Sequence, residues 1–115
     1  MVNCKRLIGD CRESKLYDVH FKYDSEAQEI ADIICTHATT LPNFNGSKPQ
    51  VVLVDKDTKR QAGYCDTKRM RIVLNHQNWG VLAHELAHFA KGSRVHDAIY
   101  REANAEIFEL MEAML

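Results

Sequence analysis

The segment GVLAHELAHFAKGSRVHD, residues 80–97, brings His84, Glu85 and His88 close together in the chain. A four-residue step puts both imidazoles on one helical face, with β-carbons about 5–6 Å apart. From there both rings reach a single ion at bond lengths of about 2.0–2.1 Å. Glu85 sits one step round the helix, placed to contact a water on that ion without displacing it, which is the position of a general base. The neighbours Val81, Leu82, Ala83, Leu86, Ala87, Phe89 and Ala90 mark a segment bound for the interior. An unpaired polar group there costs roughly 1–3 kcal/mol. A shared zinc ion (Zn2+) would supply the missing partner. The competing reading is a helix with two core histidines hydrogen-bonded to backbone or carboxylate.

A catalytic zinc takes three protein ligands and keeps an open position for water. The final helix offers the candidates. Its apolar stripe is expected through Ile99, Ala103, Ile107, Leu110 and Met114. At about 100° per residue, His96 falls near the centre of that stripe, Glu102 well off it and Glu106 at its border. His88 precedes Gly92 by one turn and His96 follows it by about one turn, so a helical hairpin would bring the two histidines level. His96 is therefore the expected third ligand, with Glu102 and Glu106 as alternatives. Asp97 can be read as an acceptor for a ligand N–H or as an ordinary helix amino-terminal acid. Tyr100 suits either donation to a developing oxyanion or packing at the core margin. His20, His37 and His76 have no partner at ligand spacing and read as surface residues. Trp79 reads as a core anchor.

The elements that must position this chemistry follow from periodicity. Tyr17, Val19, Phe21 and Tyr23 alternate with Asp18, His20 and Lys22, a half-buried strand pattern. Ser25 with Gln28 makes a capping-box start for a helix whose buried stripe is Ala27, Ile30, Ala31, Ile34 and Ala38, with Pro42 beyond its end. LPNFNGSKP is a loop by composition. Strands are expected at residues 50–55, 61–65 and 70–75, the last two joined by a tight turn over 66–69. Asn75 or Asn78 caps the histidine helix, which runs to about Lys91 before Gly92, and a last helix covers roughly residues 94–114. The fold class is α+β: a small twisted mixed sheet of about four strands covered by three helices.

At 115 residues, the chain reads as a single domain spanning 1–115. Its 45% hydrophobic and 27% charged content is that of a globular protein. No apolar run approaches the roughly 20 residues of a membrane span, and the amino terminus lacks an apolar signal core. A cytoplasmic protein without a membrane partner is expected. Cys4, Cys11, Cys35 and Cys65 form no CxxC pair and read as thiols, most of them small buried hydrophobes. The net charge of −1 excludes a globally basic nucleic-acid binder. Lys56, Lys59, Arg60, Lys68, Arg69 and Arg71 still outweigh Asp57 and Asp66 locally. That is either a solvated surface or a basic rim for an acidic partner.

Strand, helix, strand, hairpin and then an HExxH helix resembles the minimal zincin metallopeptidase core, over roughly residues 17–114. The resemblance implies that HExxH lies on the second helix and that substrate pairs with an edge strand, here Gly63-Tyr64-Cys65. HELAH followed by HDAIY is similar to the SprT-like and WLM groups, whose third ligand is a histidine in an HGxxF or HDxxF motif. His96, Asp97 and Tyr100 match that motif, with tyrosine for phenylalanine. The eight-residue step from His88 to His96 is longer than is usual in WLM sequences. Arg101-Glu102-Ala103-Asn104 resembles the E-A-N segment of ImmA/IrrE-like peptidases, which would make Glu102 the ligand. The extended metzincin pattern fails at Lys91 and Arg94. A zinc metallopeptidase acting on a peptide or protein substrate is the expectation, with zinc on His84, His88 and His96 and Glu85 as base. The rival readings are a catalytically inactive zincin-fold binding module and a DNA- or repressor-associated peptidase.

Overall fold

The computed structural model describes residues 15–37, 48–54, 62–91 and 98–115. A 3-10 turn (Lys15–Asp18) leads to helix α1 (Asp24–His37), then strands β1 (Gln50–Leu53), β2 (Gly63–Asp66) and β3 (Arg71–Leu74). Helices α2 (Trp79–Lys91) and α3 (Ala98–Ala113) follow. The architecture is α+β, with a three-stranded mixed sheet in the order β1-β3-β2 among the described residues. β3 is central, parallel to β1 from Gln50↔Arg71 to Leu53↔Leu74 and antiparallel to β2 from Gly63↔Leu74 to Asp66↔Arg71. The tight turn after β2 is held by the Asp66 carboxylate, which accepts from the Arg69 N–H at 3.1 Å, and it closes with Met70 at φ 52°.

The fourth strand expected over Tyr17–Tyr23 does not join the sheet. Leu16 and Phe21 are buried, but Tyr23 is 67% exposed, so the alternating side chains do not share one buried face. The chain instead turns, with Val19 N–H donating to the Leu16 carbonyl, and makes one isolated bridge, His20↔Asn78. Phe21 N–H donates to the Gln77 carbonyl at 2.8 Å and Trp79 N–H to the Val19 carbonyl at 2.9 Å. Anchoring a few apolar side chains beside the start of α2 satisfies the pattern without a ladder.

The start of α1 also departs from the expected capping box. Glu26, not Gln28, reaches back, accepting from the Lys22 N–H at 3.1 Å. The Gln28 carboxamide accepts from the Val51 N–H and donates to the Pro49 carbonyl, both at 2.9 Å. Gln50 N–H points inward to the Met70 carbonyl, so Val51 N–H and the Pro49 carbonyl face away from β3. Gln28 thus takes the place of a neighbouring strand along that edge. Ala27, Ala31, Ile34 and Cys35 form the buried face of α1, with Ile30 at its margin.

Asn78 starts α2 as expected: its Oδ1 accepts from the Val81 N–H at 2.8 Å, satisfying a donor that the helix itself leaves open. A Cβ at Gly80 would enter the Tyr17 ring, so the first turn of α2 sits directly on that aromatic. The apolar stripe of α3 lies round from its expected line. Tyr100, Ala103, Asn104, Ile107, Phe108 and Met111 are buried, Leu110 is half-buried and Met114 is exposed. α2 and α3 make the most extensive contact between elements, with Tyr100 of α3 set against His84 and His88 of α2. Ala38, Pro42, Gln61, Gly92 and Arg94 lie outside the described residues. No helix among the described residues is long and apolar enough to cross a membrane.

Candidate metal centre

Helix α2 is buried almost throughout from Val81 to Ala90, and His84 and His88 lie against Tyr100 of α3. His84 is half-buried, and His88 and Glu85 are only 7% and 6% exposed. The one-turn spacing brings the rings to 4.8 Å between centroids, edge to face. Their Nε2 atoms stand 3.2 Å apart. Two nitrogens bound to one tetrahedral zinc at 2.0–2.1 Å would be separated by about 3.3–3.4 Å. The separation of the pair is thus close to that of two nitrogens on one zinc ion. The same separation fits an N–H···N hydrogen bond between neutral rings, so the distance admits a proton or a cation between the nitrogens.

Glu85 leans toward the sheet. A Cβ placed on Gly63 would lie 3.5 Å from Glu85 Cγ, 3.0 Å from Val81 Cγ1 and 2.7 Å from the Val73 carbonyl oxygen. Glycine suits position 63 because a Cβ would run into the Val73 carbonyl of β3 and press on Val81 of α2. Among the described residues β2 is an edge of the sheet, as the sequence reading placed it, and the Glu85 stem passes beside Gly63 at its start.

Tyr100 occupies a place that sequence reasoning did not assign. It is fully buried, with its hydroxyl oxygen 2.7 Å from His84 Nδ1. Its ring stacks on His88 at 4.4 Å between centroids and 30° between planes. A contact on both histidines from the next helix needs the hairpin geometry, and spacing along one chain carries no signal for it. The hydroxyl is committed to the nitrogen of His84 that does not face His88.

The third ligand expected at His96 and the neighbouring Asp97 lie outside the described residues. Glu102 is exposed, two residues and roughly 200° round α3 from Tyr100, and Glu106 is half-buried. Among the described residues no group of three or more His, Cys, Asp or Glu side chains is gathered to hold a metal ion. His20, His37 and His76 are exposed, as their isolation in the sequence suggested. Trp79 packs against the core and stacks on Phe21 at 6.0 Å. Cys35 and Cys65 are buried free thiols. Burial pushes the Cys35 thiol up to about 12, with the Asp32 charge adding to the shift, so it stays protonated and inert near neutrality. Cys4 and Cys11 are outside the described residues.

No protein-family model, curated protein or solved structure matches this chain.

Proposed function

We propose that this protein is a zinc-dependent metallopeptidase with a minimal zincin core, similar in its motifs to the SprT-like and WLM groups. The observation that carries the reading is the 3.2 Å approach of His84 Nε2 and His88 Nε2, made by two residues of one helix with a buried carboxylate between them in sequence. His84 and His88 would hold zinc together with His96. Bound there, zinc would supply a Lewis acid that polarises a carbonyl and lowers the pKa of water toward 7. Glu85 takes the proton from the attacking water and returns it to the departing amine. Burial keeps competing water from its carboxylate, and its position beside β2 puts it next to the strand on which an extended peptide would dock.

The test compares purified wild type with Glu85→Gln, for zinc content by elemental analysis and for hydrolysis of an unstructured casein substrate. The expected result is equal zinc and a fall in hydrolysis on the order of 10²–10⁴. A Gln variant that cleaves like wild type overturns the base assignment. Wild type that carries no zinc overturns the whole reading. His96→Ala and Glu102→Ala in the same assay identify the third ligand: zinc is expected to leave with His96.

A further inference from the structure

We infer that Tyr100 is a positioning residue for the metal centre. Its hydroxyl accepts the Nδ1–H of His84, so that the lone pair of His84 lies on Nε2, the nitrogen that faces His88. The inference rests on the zinc reading and concerns what makes that pair of histidines competent. A neutral imidazole carries one proton, and the partner of one nitrogen decides which nitrogen is left bare. The Tyr100 oxygen at 2.7 Å is well within hydrogen-bonding range of Nδ1. With the proton held there, Nε2 is an acceptor at the point where the two rings approach to 3.2 Å. In the metal-free pair one proton lies between the two Nε2 atoms in either tautomer; with the Tyr100 oxygen holding the His84 proton at Nδ1 it belongs to His88, and His84 Nε2 needs no tautomer change when an ion enters.

The same side chain fixes the second ligand by a different contact. The phenol ring lies 4.4 Å from the His88 ring at 30°, and its edge is turned to His84 at 5.6 Å and 69°. One fully buried residue on α3 thus sets the proton position of one histidine and the plane of the other. Such a partner is a hydroxyl here where a carboxylate or backbone carbonyl is the commoner choice. It confers orientation without a second negative charge beside Glu85.

Tyr100→Phe separates the two contacts, because it keeps the ring against His88 and removes only the oxygen. Two measurements read it. Zinc affinity, by competition with a chromophoric chelator, is expected to fall 10–100-fold. Imidazole ¹⁵N NMR of the metal-free proteins is expected to show His84 as the Nδ1–H tautomer in wild type and as a mixture in the variant. Wild-type zinc binding with an unchanged affinity in Tyr100→Phe overturns the positioning role while leaving the zinc reading standing. Wild type that binds no zinc overturns the zinc reading itself. If the variant does not fold, the wild-type spectrum alone decides: a His84 proton found on Nε2 overturns the inference.

Discussion

Two imidazole nitrogens 3.2 Å apart leave room between them for one small positive centre, a proton or a metal ion. Glu85, between the two histidines in sequence, is buried on the same helix. Beside it on β2 is Gly63, a residue with no side chain at all. A methyl group on Gly63 would stand 2.7 Å from the Val73 carbonyl oxygen and 3.0 Å from Val81 Cγ1, neither of which is the loose end of a flexible chain. Gly63→Ala must therefore push β2 away from β3 or from α2. A destabilisation of roughly 1–3 kcal/mol is expected, the usual cost of overpacking, visible as a lower Tm. Because the strand displaced is the one beside Glu85 and not one against the histidines, hydrolysis should fall more than zinc affinity. An alanine variant with wild-type Tm and activity would show that the contact is slack.

At the scale of elements, the helices were legible because their apolar spacing is long and regular. The buried stripe of α1, the Asn78 cap of α2 and the placing of His84, Glu85 and His88 on one helix all follow from local sequence. The segment around Tyr17–Tyr23 was not legible, because a period of two is satisfied as well by a turn and one bridge as by a strand. Gln28 escaped for a similar reason. Its sequence position suits a helix cap, whereas its carboxamide is used by a strand more than twenty residues away. The consequence is that the two sheet edges among the described residues differ. β1 is occupied by a side chain that bonds to Val51 N–H and the Pro49 carbonyl, and the edge beside Glu85 is β2. Gln28→Ala removes both bonds and strands a donor on a residue that is 3% exposed. A loss of roughly 1–3 kcal/mol in urea unfolding is expected. Light scattering should also report association that grows with concentration, because an uncovered strand edge pairs with other chains. Unchanged stability would mean that water replaces the carboxamide without cost.

At the scale of the whole molecule, the question is whether the metal would hold the fold together or only arm it. The core gives a physical answer. Leu16, Ile34, Ile72, Leu74, Leu82, Leu86, Ile107, Phe108 and Met111 are buried with at most 1% exposure, drawn from the 3-10 turn, the sheet and all three helices. At about 25 cal/mol per Å² of apolar surface, such a core stabilises the chain without a staple. The histidines lie against Tyr100 of α3, which belongs to the same buried cluster as Leu86 and Met111. Stripping zinc with a chelator is thus expected to leave the far-UV circular dichroism of a folded protein. A ligand that binds only the native state stabilises it by mass action, by about 2.7 kcal/mol at a hundredfold excess over its Kd. For a chain of this length that corresponds to a rise in Tm on the order of 10 °C when zinc is restored. A structural zinc behaves differently, since the apo protein is then largely unfolded. Chelation that abolishes the fold would make the centre a staple and favour an inactive binding module. Protein that carries no metal, and whose Tm is the same with chelator or with added zinc, would return His84 and His88 to the role of interior hydrogen-bonding groups.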